Sequence, residues 1–196
     1  MINMKQEKTV VLIKPDGIKR GLIGEVINRI EKRGLKIISL EMFQANKQQI
    51  DSHYPQDKKW IKRLGEKTLS NYKKYGFSAQ EELGTEDPLK IGKMVRGWLI
   101  DFMISGPMVK MIVQGIHSID MVRKIVGGSM PSQAEMGTIR GDFSVDDATA
   151  ANKDKRAIHN IIHASETPEE AEHELGFWFA AEDVFDYKRA EEDIMF

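Results

Sequence analysis

The sequence predicts an α+β fold of the split βαβ type, a four-stranded antiparallel sheet packed with helices. Three observations predict it. Four short runs of apolar, β-prone residues are spread along the chain. Segments with helical spacing separate them. Their order is β-α-β, a helical stretch, then β-α-β, which is the ferredoxin-like plan with an inserted helical hairpin.

The first strand is Thr9-Val10-Val11-Leu12-Ile13. Lys14-Pro15-Asp16-Gly17 ends it, since Pro15 holds Lys14 extended and Asp16-Gly17 signals a turn. Val26, Ile27 and Ile30 have helical spacing, and Gly34 stops that helix before a second strand from Leu35 to Phe43. From Gln44 to Ser105 the chain is polar and lysine-rich, with apolar pairs such as Trp60-Ile61 that suggest helices broken at Gly76, Gly84 and Pro88. Alternation over Met108 to Val113 predicts the third strand, and Ile119, Val122, Ile125 and Val126 a helix closed by Gly127-Gly128. Ser129 to Phe143 reads as a loop, 144–156 as a polar surface excursion, and Ile158 to His163 as the fourth strand. Thr167 at N-cap, Pro168 at N1 and Glu170 at N3 start the last helix, where Ala171, Glu174, Leu175 and Trp178 share one face.

With 196 residues, 41% of them hydrophobic, the chain suffices for one well-buried domain with insertions. A net charge of -1 argues against a polyanion as main partner, so nucleic acid is not expected, while a small anion needs only a few local cations. The absence of cysteine excludes disulfides and thiolate zinc sites and fits a reducing cytoplasm. Met1 to Lys8 is polar and reads as no signal peptide, and no apolar run reaches membrane-spanning length, so a soluble protein is expected.

Chemistry points to His163. An imidazole can be both neutral and nucleophilic near pH 7. Glu174 lies on an apolar stripe, where an acid is costly unless paired, and His163 or an arginine is its expected partner. Lys14, at a strand end, fits a phosphate contact. Arg123 and Arg140 can clamp a polyphosphate if they converge, with Thr138, Gly141 and Ser129 offering hydroxyl and backbone donors nearby. A metal chelate by His159 and His163 is rejected, because strand positions four apart are roughly 13 Å apart. His53, His117 and His173 read as ordinary polar positions. Asn160 and His163 are three apart, so a regular strand would face them oppositely. If both serve one site, the strand must twist, bulge or begin near Asn160.

Lys14-Pro15-Asp16-Gly17 with Arg20-Gly21-Leu22, Ser105-Gly106-Pro107, Gly137-Thr138-Ile139-Arg140-Gly141-Asp142-Phe143 and Asn160-Ile161-Ile162-His163, in this order, resemble nucleoside diphosphate kinase. The resemblance runs from about Thr9 to Lys188. It implies a single kinase domain over 1–196 with insertions near 58–94 and 146–155. It also implies a ping-pong phosphotransferase. His163 matches the nucleophile that takes the γ-phosphate from a nucleoside triphosphate and passes it to a nucleoside diphosphate. Glu174 matches the acid that orients it. Lys14 matches the lysine that neutralises the transferring group, and Tyr54 a tyrosine near the nucleophile.

The same resemblance assigns Arg123 and Arg140 to the phosphates, Ser129 to a position usually held by threonine, and Asn160 to the ribose hydroxyl together with Lys14. It implies Mg²⁺ bound mainly through nucleotide phosphates, and a cytoplasmic homo-hexamer in which Ser129 to Arg140 commonly makes contacts. Departures exist. The family's base-stacking aromatic falls on Val95, with Trp98 nearby, and Ala164 replaces a usual glycine. The long hairpin and the Ala-Ser after the histidine look more like archaeal-type members. A nucleotide-binding scaffold that uses the hairpin as a partner surface is the competing reading.

Overall fold

The computed structural model describes residues 6–190 and 192–195; Met1 to Lys5 of the polar N-terminus lie outside them. The chain forms two compact units, Met1–Gln44 with Pro107–Ser144 and Asn160–Phe196, and Ala45–Gly106 with Val145–His159.

The first unit carries the sheet. Its strands β1 (Glu7–Ile13), β2 (Lys36–Phe43), β3 (Met108–Gly115) and β4 (Ile162–Ala164) lie in the order β2-β3-β1-β4 with every neighbour antiparallel. β3 occupies the gap between β1 and β2, so the split βαβ plan holds. Val10 to Ile13 are fully buried, as a central strand covered on both faces requires. On one face Val11, Ile13, Val109, Met111 and Val113 pack with Val26 and Ile30 of α2 (Ile23–Lys32) and Val122 and Val126 of α7 (Ser118–Val126). On the other face Leu12 pairs with Lys110 and His163. There Lys110 Nζ donates to the Trp178 carbonyl of α10 (Pro168–Trp178) at 2.7 Å. Thr167 Oγ1 caps that helix by accepting the Glu170 N–H at 3.2 Å.

The edge of β2 is covered by the C-terminal segment. Phe185 N–H donates to Ile38 O, and Tyr187 Oη to Ile37 O, each at 2.8 Å. Covering an edge removes a template for unwanted strand pairing.

Four expectations change. Asp16 and Gly17 lie within α1 (Pro15–Lys19), because Pro15 at N1 is already set for a helix. The loop 129–143 contains α8 (Ile139–Phe143), capped by Thr138. The excursion 144–156 contains α9 (Ala148–Lys153), capped by Asp147 and seated by buried Ala151. The fourth strand begins at Ile162 rather than Ile158, because Ile161 adopts φ +70° and breaks the extended run.

The second unit is helical: α3 (Lys47–His53), α4 (Lys58–Lys74), α5 (Ala79–Leu83), α6 (Pro88–Met103) and α9. Tyr72, Ala79, Leu83 and Ile91 form a core against which Val95 and Trp98 pack. α4 and α6 approach so closely that a Cβ on Gly65 would lie 1.8 Å from Pro88 O, and one on Gly92 1.8 Å from Ile61 O. Gly65→Ala must push the helices apart. Overpacking of this kind costs roughly 1–3 kcal/mol, so calorimetry should show Tm lower by about 3–10 °C. An unchanged Tm would mean that this crossing is not tight in solution.

Candidate active site

His163 lies on β4 opposite Leu12, so its side chain shares the sheet face that α10 covers. Glu174 comes from the buried stripe of α10 and is 3% exposed. His163 Nε2 and Glu174 Oε1 are 2.7 Å apart. Ser165, fully buried, donates its hydroxyl to the other oxygen, Oε2, at 2.7 Å. It also accepts the Val10 N–H at 3.2 Å, which ties the pair to the central strand. An ionised carboxylate only accepts hydrogen bonds, so this contact assigns the imidazole proton to Nε2 and the lone pair to Nδ1.

The segment before His163 is a tight turn. Ile162 N–H donates to Asn160 O at 2.7 Å across Ile161. A β-branched residue at φ +70° is a conformational outlier that costs on the order of 1–3 kcal/mol. Surrounding bonds hold it there: Asp16 Oδ2 accepts the Ile161 N–H at 2.9 Å, and Ile161 O accepts the Lys14 N–H at 2.8 Å. The turn answers the spacing problem. Asn160 stands outside the ladder, its Oδ1 accepts from Lys14 Nζ at 2.7 Å, and its Nδ2 donates to Ser129 O at 3.0 Å. By strand alternation Lys14 continues the Leu12 face, the face of His163.

Arg140, on α8, is 9% exposed. Its guanidinium donates to three carbonyls: Asn160 at 3.2 Å, Gly127 at 2.8 Å and Ile162 at 2.5 Å. Two of its five N–H groups remain for a ligand. Gly127 sits at φ +84°, and a Cβ there would meet Thr138 Oγ1 at 2.3 Å, so only glycine brings this carbonyl to the arginine. Arg123 is exposed and paired with Glu166 at 2.8 Å. Arg29 of α2 anchors α8 and the loop before it, binding Asp142 Oδ2 at 2.6 Å and Gly137 O at 3.0 Å.

The cations crowd one another. Burial, then Arg140, lowers the Lys14 pKa to about 8, with Asp16 opposing. Burial, then Arg123, lowers that of Arg140 to about 10, again opposed by Asp16. Buried positive groups that repel one another favour an anion between them.

Thus the first unit brings together His163 with Glu174, and Lys14 with Asn160, Ser129 and Arg140. Tyr54 belongs to the second unit. It ends α3, stacks on Trp60 at 6.2 Å, and its carbonyl accepts from Arg96 at 3.2 Å. Sequence reasoning missed Asp16, Ser165 and Arg29 as supports. Ser165 adjoins the histidine motif and could have been suspected, whereas Ile161, the partner of Asp16, and Asp142, a second partner of Arg29 beside its local Glu25, lie more than a hundred positions away.

A family profile described as nucleoside diphosphate kinase matches residues 7–70 and 90–184. A nucleoside diphosphate kinase of Pyrobaculum aerophilum is 42% identical over 183 residues, 93% of this chain and 100% of the relative. A crystal structure of an NDP kinase from Pyrobaculum aerophilum superposes with TM-score 0.89 at 40% identity, covering 92% of this chain and 100% of that one. A transition-state mimic of the Borrelia burgdorferi nucleoside-diphosphate kinase, with bound vanadate and ADP, superposes with TM-score 0.77 at 32% identity, covering 97% of this chain and 96% of that one.

Proposed function

The chain belongs to the nucleoside diphosphate kinase family, in its archaeal-type form, and we propose that His163 Nδ1 is the atom that carries the phosphoryl group in its reaction. The protein transfers the γ-phosphate of a nucleoside triphosphate to a nucleoside diphosphate, in two steps, through a phosphohistidine. The scaffold reading gives way to an enzyme.

The observation that carries the assignment is the 2.7 Å contact between His163 Nε2 and buried Glu174. In the proposed first step the Nδ1 lone pair attacks the γ-phosphorus. The bond from that phosphorus to the bridging oxygen breaks, and the diphosphate leaves with its electron pair. The Nε2 proton stays on the ring, where the Glu174 carboxylate balances the charge the ring acquires. The second step reverses this onto another diphosphate. Phosphoryl transfer depends chiefly on placement and charge, and the remaining set supplies both. Lys14 and Arg140 neutralise the transferring group, Arg123 exchanges Glu166 for phosphate, and Asn160 with Lys14 takes the ribose hydroxyl. Ser129 lies beside Asn160, and Tyr54 completes the set by its place in the family's motif order. Labelling with ATP marked on the γ-phosphate tests the assignment: acid-labile, base-stable label should appear on His163, and its absence would remove the reading.

Members of the family generally require a divalent cation. We propose Mg²⁺. The residues fit an ion held by phosphates and water: both Glu174 oxygens are bonded to His163 and Ser165, and the remaining site side chains of the first unit are mainly cations. When bound, the ion would neutralise phosphate charge.

We further propose that 1–196 acts as one domain, with the insertions near 58–94 and 146–155 both in the second unit, and as a cytoplasmic homo-hexamer. Light scattering tests the assembly, and a clean monomer would refute it. Among the described residues no helix is long and apolar enough to cross a membrane.

Lys14 gives a pH prediction. Its pKa is about 8 in the free protein and rises when phosphates neutralise the surrounding cations. Above pH 8 the complex therefore holds more proton than the free protein, and binding weakens as pH rises. ADP affinity should be level near pH 7 and fall by up to about 30-fold by pH 9.5 in calorimetric titrations. A flat profile would show that Lys14 does not contact the ligand.

A further inference from the structure

We propose that Asp16 is a positioning residue for phosphoryl transfer: its carboxylate fixes the left-handed Ile161 peptide and so determines where Asn160 and His163 stand. The inference rests on His163 being the nucleophile.

The polar groups of the turn are held from three directions. Ile161 N–H goes to Asp16, Ile161 O to the Lys14 N–H, and the flanking carbonyls of Asn160 and Ile162 to Arg140. Only the Asp16 bond acts on the amide of the strained residue itself. Ile161 is fully buried, so without that acceptor its N–H has no water to turn to, and the peptide gains by rotating away. Rotation would restore an extended run in which Asn160 and His163 face opposite sides of the sheet. Asp16 is itself well fixed. It stands in the first turn of α1, its backbone carbonyl accepts from the Arg20 N–H at 3.1 Å, and its side chain is buried.

A second observation shows that more than an acceptor is present. Asp16 Oδ1 is buried and has no hydrogen-bond partner among the described residues. Leaving that oxygen unsatisfied weakens the fold, and a neutral acceptor could hold the Ile161 amide as well. The negative charge instead opposes the mutual repulsion of Lys14 and Arg140. Lys14 faces Asp16 from α1 and Arg140 from α8, and Asn160 Oδ1 accepts its hydrogen bond; the His163–Glu174 pair and Lys110 are titratable groups on the same sheet face. Asp16 thus orders the turn through one oxygen and keeps Lys14 cationic through its charge.

The test compares Asp16→Ala and Asp16→Asn in the full chain by rapid-quench phosphorylation. The size of the phosphoenzyme burst counts competent sites, so the rate is read per competent site. For Asp16→Ala the rate per site should fall at least about 30-fold with KM within about threefold, since displaced reacting groups lose rate rather than affinity. Asp16→Asn keeps the acceptor. At pH 6.5 it should retain wild-type rate within about fivefold, while the alkaline limb of kcat/KM moves to lower pH because Lys14 has lost its acid.

A merely structural Asp16 would reduce the number of competent sites and leave rate and limb unchanged. The inference is overturned if Asp16→Ala phosphorylates within about threefold of wild type per site, if Asp16→Asn is as slow as Asp16→Ala, or if its alkaline limb does not move. Should Asp16→Ala not fold, the limb in Asp16→Asn decides. Failure of the wild type to label His163 would overturn the nucleophile reading too; a labelled wild type beside an unimpaired Asp16→Ala overturns this inference alone.

Discussion

His163→Ala is expected to abolish phosphoenzyme formation and to lower turnover at least about 10,000-fold, because it removes the imidazole proposed to carry the phosphoryl group. Stability should fall as well. Glu174 is 3% exposed and bonded to His163 Nε2 and Ser165 Oγ, so the alanine variant leaves a buried oxygen without its donor. Such a loss costs about 1–3 kcal/mol. His163→Gln separates the two effects. Its amide N–H₂ can reach Glu174, so Tm should recover most of the loss while turnover stays abolished. ADP affinity should stay near wild type in both, since the phosphates are proposed to bind Lys14, Arg140 and Arg123. Quench-flow labelling, calorimetry and titration read the three quantities. Turnover within tenfold of wild type in either variant would end the phosphohistidine assignment.

The second large effect is expected for Arg140→Lys, a change that keeps the charge. The guanidinium joins Gly127, Asn160 and Ile162 through three separate N–H groups. An ammonium is a compact point charge on one nitrogen and cannot span those carbonyls. Losing two charge-assisted bonds costs roughly 3 kcal/mol, which corresponds to a Tm lower by about 6–12 °C. The carbonyls of Asn160 and Ile162 flank Ile161, so the turn before His163 loosens. Turnover should fall by about 100-fold or more, beyond the loss of a phosphate contact. Equal Tm values for the variant and the wild type would refute the structural part. Turnover within threefold of wild type would refute the link between the turn and the chemistry.

Much of the fold is legible along the chain because its signals are local. Thr9 to Ile13 is a continuous apolar run and becomes the central strand, covered on both faces. Gly34 and Gly127 end their helices at positive φ, and Thr167-Pro168 starts α10 as its cap predicts. Glu174 was legible too, because an acid on an apolar stripe demands a partner, and the structure supplies His163 and Ser165. The fourth strand was misread. Ile158, Ile161 and Ile162 have strand composition, yet composition carries no sign of φ, and Ile161 takes the left-handed value only under bonds from Asp16, Lys14 and Arg140. Likewise α8 and α9 are single turns whose caps, Thr138 and Asp147, resemble ordinary loop residues.

By itself the sequence determined the split βαβ order and pointed to His163 and Glu174 as partners, because periodicity, capping and residue chemistry act over a few positions. Tertiary structure alone decided how those groups are held. Arg140 became a staple of three carbonyls as well as a cation, Asp16 became the partner of an amide 145 residues away, and Lys14 acquired its lowered pKa. Each depends on distance and burial in the folded chain. A hydrogen bond between remote residues, or the repulsion of cations brought together, leaves no period in the sequence to read.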